Sequence, residues 1–169
     1  MRSRLRSFAW KLIDGARFRR YAPQSPSASP GPFLRIAIVS LIPYLGDSVL
    51  LFPLIDAIRR EHCDAEISVF TSGAGSILSL HPGVDRVYVR TQSKAWWRLS
   101  VCGLWLDWRM NYRSLRFDVC VVPRGGVEPF HSAHLAWMLG GAIRAGYSPG
   151  LEPERSAADS GADSLFTGR

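Results

Sequence analysis

Five short apolar runs, Leu34–Ser40, Glu66–Thr71, Val84–Arg90, Phe117–Val122 and Ala142–Tyr147, alternate with helical patterns along the middle of the chain. Each run has strand length, and strands that alternate with helices read as βαβ units. Parallel neighbours require crossover connections, which pack as right-handed helices on the sheet faces. The alternation therefore predicts an α/β fold, a Rossmann-like doubly wound parallel sheet. At 169 residues there is room for one ordinary domain with a core, and no internal repeat interrupts it.

The connections have their own signals. Ser48–His62 reads as a helix with Val49, Leu51, Phe52, Ile55 and Ile58 apolar, and Pro53 inside it is expected to kink the first turns. Asp47 stands where an N-cap belongs. Gly75–Leu80 is a short helix closed by His81-Pro82-Gly83, residues 94–113 a Trp-rich helical segment, and Phe130–Leu139 a further helix.

Charge divides the chain into three parts. Seven Arg and Lys residues against Asp14 alone put six of the seven net positive charges in residues 1–30. Leu5, Phe8, Ala9, Leu12, Ile13, Ala16 and Phe18 fall at mostly helical spacing among those arginines. Residues 1–21 thus read as a basic amphipathic helix, suited to an anionic membrane surface or to packing on a domain or partner. Pro23–Pro32 completes a Pro/Ser-rich linker, so the segments are 1–32, a domain at 33–148, and a polar tail at 149–169. A domain with so little charge of its own is not built to grip nucleic acid.

Several chemistries find no support in the residues. Cys63, Cys102 and Cys120 are widely spaced and odd in number, which predicts reduced thiols and neither a disulfide framework nor a zinc site. No run of about 18 apolar residues occurs, so no transmembrane helix is expected, and the N-terminus lacks a signal peptide's apolar core. Neither a G-x-G-x-x-G fingerprint, a P-loop nor a G-x-S-x-G elbow follows any strand. His131 and His134 stand three apart on a helix, a spacing more often structural than metal-binding. Trp97, Val101, Leu104, Trp105 and Trp108 share one helical face, which favours packing. Arg98, Arg109, Arg113 and Arg116 nearby offer charges for an anionic acceptor.

What remains is the turn Pro43-Tyr44-Leu45-Gly46-Asp47 after the first strand. Ligands collect outside the carboxyl ends of strands in open α/β sheets, and Asp47 sits there. It reads as a helix cap, as a base that takes a proton from a hydroxyl, or as both. The candidate site is Asp47 with Tyr44, Gly46, Arg124 and His131 as acceptor contacts, drawn from the turns after strands one and four and the start of the helix that follows.

The stretch Leu34–Arg60, with Gly46-Asp47-Ser48 at its centre, resembles the opening of the family 9 glycosyltransferases, the ADP-heptose:lipopolysaccharide heptosyltransferases and their relatives. The likeness continues through Asp64–Ile67, His81-Pro82-Gly83-Val84-Asp85-Arg86-Val87, Leu115–Arg124 and Leu139–Tyr147, in order and at similar spacing. Ser40–Tyr44 departs from it in being uncharged where members often carry Arg or Lys, and Leu51 stands where Thr is common.

The resemblance implies a GT-B enzyme of two Rossmann-like domains, inverting and without a metal or other cofactor, whose first domain binds the acceptor and whose second binds a nucleotide sugar such as ADP-heptose. It implies that Asp47 is the base, that the acceptor is a lipopolysaccharide or cell-envelope glycan, and that the protein is cytoplasmic, peripheral on the inner face of the bacterial inner membrane. A second domain of similar size is not present, so the chain is expected to be an N-terminal half, inactive alone. The alternative is a non-catalytic α/β module that docks on a membrane or partner through its basic helix and Trp-rich face.

Overall fold

In the computed structural model, which describes residues 34–90, 101–123 and 131–146, the five expected strands form one parallel sheet. They are β1 (Arg35–Ser40), β2 (Glu66–Ser72), β3 (Arg86–Arg90), β4 (Val119–Val122) and β5 (Ile143–Gly146), in the order β3-β2-β1-β4-β5. β1 is central and pairs with β2 on one edge and β4 on the other. Between the strands lie α1 (Leu45–Val49), α2 (Phe52–Glu61), a 3₁₀ segment (Gly73–Leu80), α3 (Val101–Asp107) running into a π turn (Trp108–Tyr112), and α4 (Ser132–Leu139).

Both faces of the sheet are covered, which explains why β1 is apolar at nearly every position. Successive side chains in a strand point to opposite faces. Ile36 and Ile38 therefore pack with Ile67, Val69, Leu51, Ile55 and Leu78, while Ala37 and Val39 pack with Phe70, Cys120, Leu104, Leu135 and Leu139. Phe70 anchors an aromatic group on the second face, stacked on Tyr88 at 4.7 Å and meeting Tyr112 and Phe117 edge-on.

The expected helix over 48–62 is two helices. Pro53 has no N–H to offer the carbonyl of Val49, so the ladder ends at α1 and restarts with Pro53 in the first turn of α2, where proline is accommodated. The short helix before His81 is a 3₁₀ segment that begins at Gly73 instead of Gly75. Strands three, four and five begin one to two residues later than their apolar patterns suggest. The basic segment 1–32, the stretch 94–100 with Trp96, Trp97 and Arg98, and the tail after 148 lie outside the described residues.

At the amino edge of the sheet, two aspartates do the same job. Asp118, just before β4, accepts the N–H of Arg35 at 2.8 Å; Asp85, just before β3, accepts the N–H of Ile67 at 2.7 Å. Each carboxylate satisfies a donor at the start of the neighbouring strand, a charge-assisted bond stronger than a neutral one. Asp85 also receives Arg59 of α2 at 2.8 Å, and the same guanidinium donates to the carbonyls of Cys63, Ala65 and Gly83. His81 is buried, accepts the N–H of Gly83 on Nδ1 at 3.0 Å, and meets Phe52 edge-on at 4.7 Å. The His81–Arg86 motif thus ties α2 to the entry of β3, at the opposite edge from Asp47.

Removing either carboxylate strands a strand-entry N–H. Asp85→Ala and Asp118→Ala are each expected to lower unfolding free energy by about 1–3 kcal/mol. Urea denaturation measures this, with the exposed Arg60→Ala as a reference that stays within about 0.5 kcal/mol of the parent.

Candidate functional site at the carboxyl edge

Because β1 is central, the chain leaves it towards β2 on one side, while β4 lies on the other. The connection after β1 leads to α1 and α2, and Leu51 and Ile55 cover one face; the connection after β4 leads to α4, whose Leu135 and Leu139 cover the other. The two connections diverge at the carboxyl ends of β1 and β4, the switch point at which doubly wound sheets open a crevice.

The turn after β1 is held on both sides. The N–H of Leu41 donates to Ser132 Oγ at 3.0 Å, at the start of α4. On the β2 side, the Ser72 hydroxyl donates to the carbonyl of Leu41 at 2.5 Å, and the N–H of Ala74 to that of Pro43 at 3.3 Å. Gly73 makes the second approach possible: it has φ 56°, and a Cβ there would lie 2.8 Å from the Pro43 carbonyl oxygen. Leu41 and Ile42 are buried, and the chain then emerges, with Tyr44 63% exposed.

Asp47 is the third residue of α1, not its cap. The N-cap is Tyr44, in extended conformation, whose carbonyl accepts both the N–H and the hydroxyl of Ser48. The cap expectation fails because the helix starts three residues earlier, with Leu45 and Gly46 already helical. Asp47 therefore lies half-buried in the first turn of α1.

Gly46 beside it is required neither by backbone conformation nor by packing. Its φ is not positive, and among the described residues no atom lies within 4 Å of where a Cβ would stand. Glycine in a helix carries an entropic cost that alanine avoids, so open space at this position is a feature of the surface and not a packing demand.

His131 is the N-cap of α4 and takes up the left-handed conformation at φ 64°, ψ 34°. It is the one non-glycine residue with positive φ among the described residues, a backbone cost of order 1–2 kcal/mol that the structure around it sustains. Its ring meets that of His134 edge to face at 5.3 Å. Burial pushes the His134 imidazole down to about 4, so it is neutral near pH 7. Among the described residues no group of three His, Cys, Asp or Glu stands close enough to hold a metal. Cys120 is buried in the core and its thiol is pushed up to about 12, which leaves no thiolate to act as a nucleophile.

The structure thus gathers Tyr44, Gly46, Asp47 and His131 at one sheet edge, with Ser132 bridging the α4 start to the exit of β1. Arg124 lies outside the described residues. Ser72 and Ser132, which set the turn, were missed in the sequence because an isolated serine carries no spacing signal. The Trp-rich face divides: Leu104 is buried and Trp108 packs on the core, whereas Trp105 stays 37% exposed under the Arg109 guanidinium.

No family model matches the sequence, and no curated protein matches it. Among solved structures, the chain is similar to the crystal structure of the glycosyl transferase family 9 from Veillonella parvula DSM 2008, with TM-score 0.56 and 20% identity. The match covers 72% of this chain and 34% of that one, so this chain spans about a third of its length. The likeness is one of fold: a parallel, Rossmann-like α/β sheet shared with a glycosyl transferase. No helix among the described residues is long and apolar enough to cross a membrane.

The His134 shift makes stability depend on pH. Its folded value lies below the unfolded value of 6.5, so the unfolded chain binds the proton first as pH falls. Stability contributed by the neutral ring is whole above pH 6.5 and is lost progressively down to about 4. His134→Gln is expected to flatten the fall in urea midpoint between pH 7 and pH 4.5 relative to the parent, with chemical denaturation at several pH values as the measurement.

Proposed function

We propose that this chain is the acceptor-binding unit of an inverting glycosyltransferase of the family 9 kind, with Asp47 as its base. The observation that carries the reading is Gly46-Asp47: a half-buried carboxylate in a helix first turn at the switch-point edge, beside a glycine that nothing in the packing requires. The ordered resemblance over residues 34–147 and the fold shared with a glycosyl transferase support it.

In this reading an acceptor hydroxyl lies over Gly46, where the missing side chain leaves room, and Asp47 accepts its proton as the oxygen attacks the anomeric carbon. The bond to the nucleoside diphosphate breaks on the opposite face, which inverts the configuration. General-base assistance of this kind contributes about 10²–10⁴-fold. Tyr44, exposed beside the turn, His131 at the α4 start and Arg124 after β4 contact the acceptor, a glycan or glycolipid of the cell envelope. The nucleotide sugar, ADP-heptose or a similar donor, is bound by a second domain supplied by further sequence or another polypeptide. No metal takes part.

Two substitutions test this reading. With a donor-binding domain present, Asp47→Asn is expected to lower the rate of sugar transfer about 10²–10⁴-fold while unfolding free energy falls by no more than about 1 kcal/mol, since asparagine keeps the shape and a first-turn charge contributes only about that much. Transfer at near the parent rate removes the base assignment. Gly46→Ala separates function from stability: thermal unfolding is expected to stay level or improve by up to about 1 kcal/mol, while acceptor affinity by calorimetry falls at least about tenfold.

A further inference from the structure

Leu41 is the first residue beyond β1, and its backbone is gripped from both flanks of the switch point. The pairing of β1 with β4 ends at Ile38 and Val121, short of Leu41. A side chain takes over there: the N–H of Leu41 donates to Ser132 Oγ at 3.0 Å, and both residues are only 2% exposed. From the other flank, Ser72 holds the carbonyl of Leu41 and Ala74 that of Pro43.

From Leu41 a chain of bonds leads to the carboxylate. Ile42 is buried, Pro43 is tied to Ala74, and the Tyr44 carbonyl caps α1 by receiving both the N–H and the hydroxyl of Ser48. Asp47 is carried by that turn, so its place relative to α4 depends on the bond at Leu41. His131, the residue before Ser132, keeps a positive φ, and such a cost persists only where the surrounding structure fixes the backbone. The bond from Ser132 to Leu41 is one contact that fixes it.

We propose that Ser132 is a positioning residue, which holds Leu41 across the switch point and so sets the spacing between the turn carrying Asp47 and the α4 start carrying His131. A buried hydroxyl engaged with a backbone N–H does not touch a substrate, so its effect on chemistry runs through Asp47. Without it the Leu41 N–H is stranded in the interior, and it regains a partner only if the turn moves towards water. A displacement of about 1 Å at a reacting group costs on the order of 10²-fold in rate. The catalytic consequence rests on the reading of Asp47 as the base, whereas the spacing does not.

Two measurements test this, with Asp118→Ala as the comparison because it loses a backbone bond of the same kind at the amino edge. The first is amide hydrogen exchange on the full chain without substrate. Ser132→Ala is expected to speed exchange over residues 41–49 at least about tenfold beyond Asp118→Ala, and Ser132→Thr, which keeps the hydroxyl, to recover most of that protection. The second is sugar transfer with a donor-binding domain present, using ADP-heptose and lipopolysaccharide lacking heptose. Ser132→Ala is expected to lower kcat about 10²-fold while KM for ADP-heptose stays within about threefold, and Asp118→Ala to keep kcat within about threefold. In an Asp47→Asn background, Ser132→Ala is expected to cost less than about threefold more, because nothing remains for it to place.

The proposal is overturned if exchange over 41–49 in Ser132→Ala matches Asp118→Ala, if both variants lose kcat equally, or if the losses from Asp47→Asn and Ser132→Ala multiply. Full transfer by Asp47→Asn removes the base assignment instead, and so does a parent that transfers no sugar from this donor. The exchange result then decides on the spacing by itself.

Discussion

The rest of the structure depends on the burial of β1 on both faces and both edges. A strand in that position has no solvent side, so its residues must be apolar at consecutive positions, and its backbone must be paired on both sides. Ile36 and Ile38 supply one layer, Ala37 and Val39 the other, and pairing to β2 and β4 satisfies the backbone. Once β1 is central, the exits of β1 and β4 lie side by side, and their carboxyl ends form the switch point of the sheet.

The two edges of the sheet are put to different uses. At the amino edge, Asp85, Asp118, Arg59 and His81 are spent on strand entries and on holding α2 in place, with short bonds to backbone groups. At the carboxyl edge, Ser132 accepts the N–H of Leu41, while Ser72 and Ala74 donate to the carbonyls of Leu41 and Pro43, which fixes the turn after β1 against α4 and the exit of β2. Carboxylates that look alike in sequence therefore differ in role by the end of the strand at which they stand. Asp85 bonds the entry of β2 at the amino edge, while Asp47 stands in the first turn of α1 beyond the carboxyl end of β1.

Much of the architecture was legible from hydrophobic pattern. All five strands lie where their apolar runs place them, with ends off by a residue or two, because strand ends are decided by pairing and not by composition. Pro53 announced a disturbance but not its size: a missing N–H shows that the ladder loses a bond at Val49, not whether the helix bends there or divides. The cap expected at Asp47 moved to Tyr44 because helix starts depend on backbone conformation, which the exposed and weakly patterned Tyr44-Leu45-Gly46 does not encode. The Trp-rich face divided between core and solvent because Leu104 and Trp108, four residues apart, both face the core, while Trp105 stands about 100° further round the helix.

The sequence by itself determined the fold class and the position of Asp47 just beyond the first strand, because periodicity and order along the chain are local properties. Only the tertiary structure decided which edge of the sheet each acidic residue occupies, that Ser132 of α4 is bonded to the exit of β1 across 91 residues of sequence, and that Gly46 faces open space. Those facts arise from contacts between distant segments, and a contact between distant segments leaves no period in the chain.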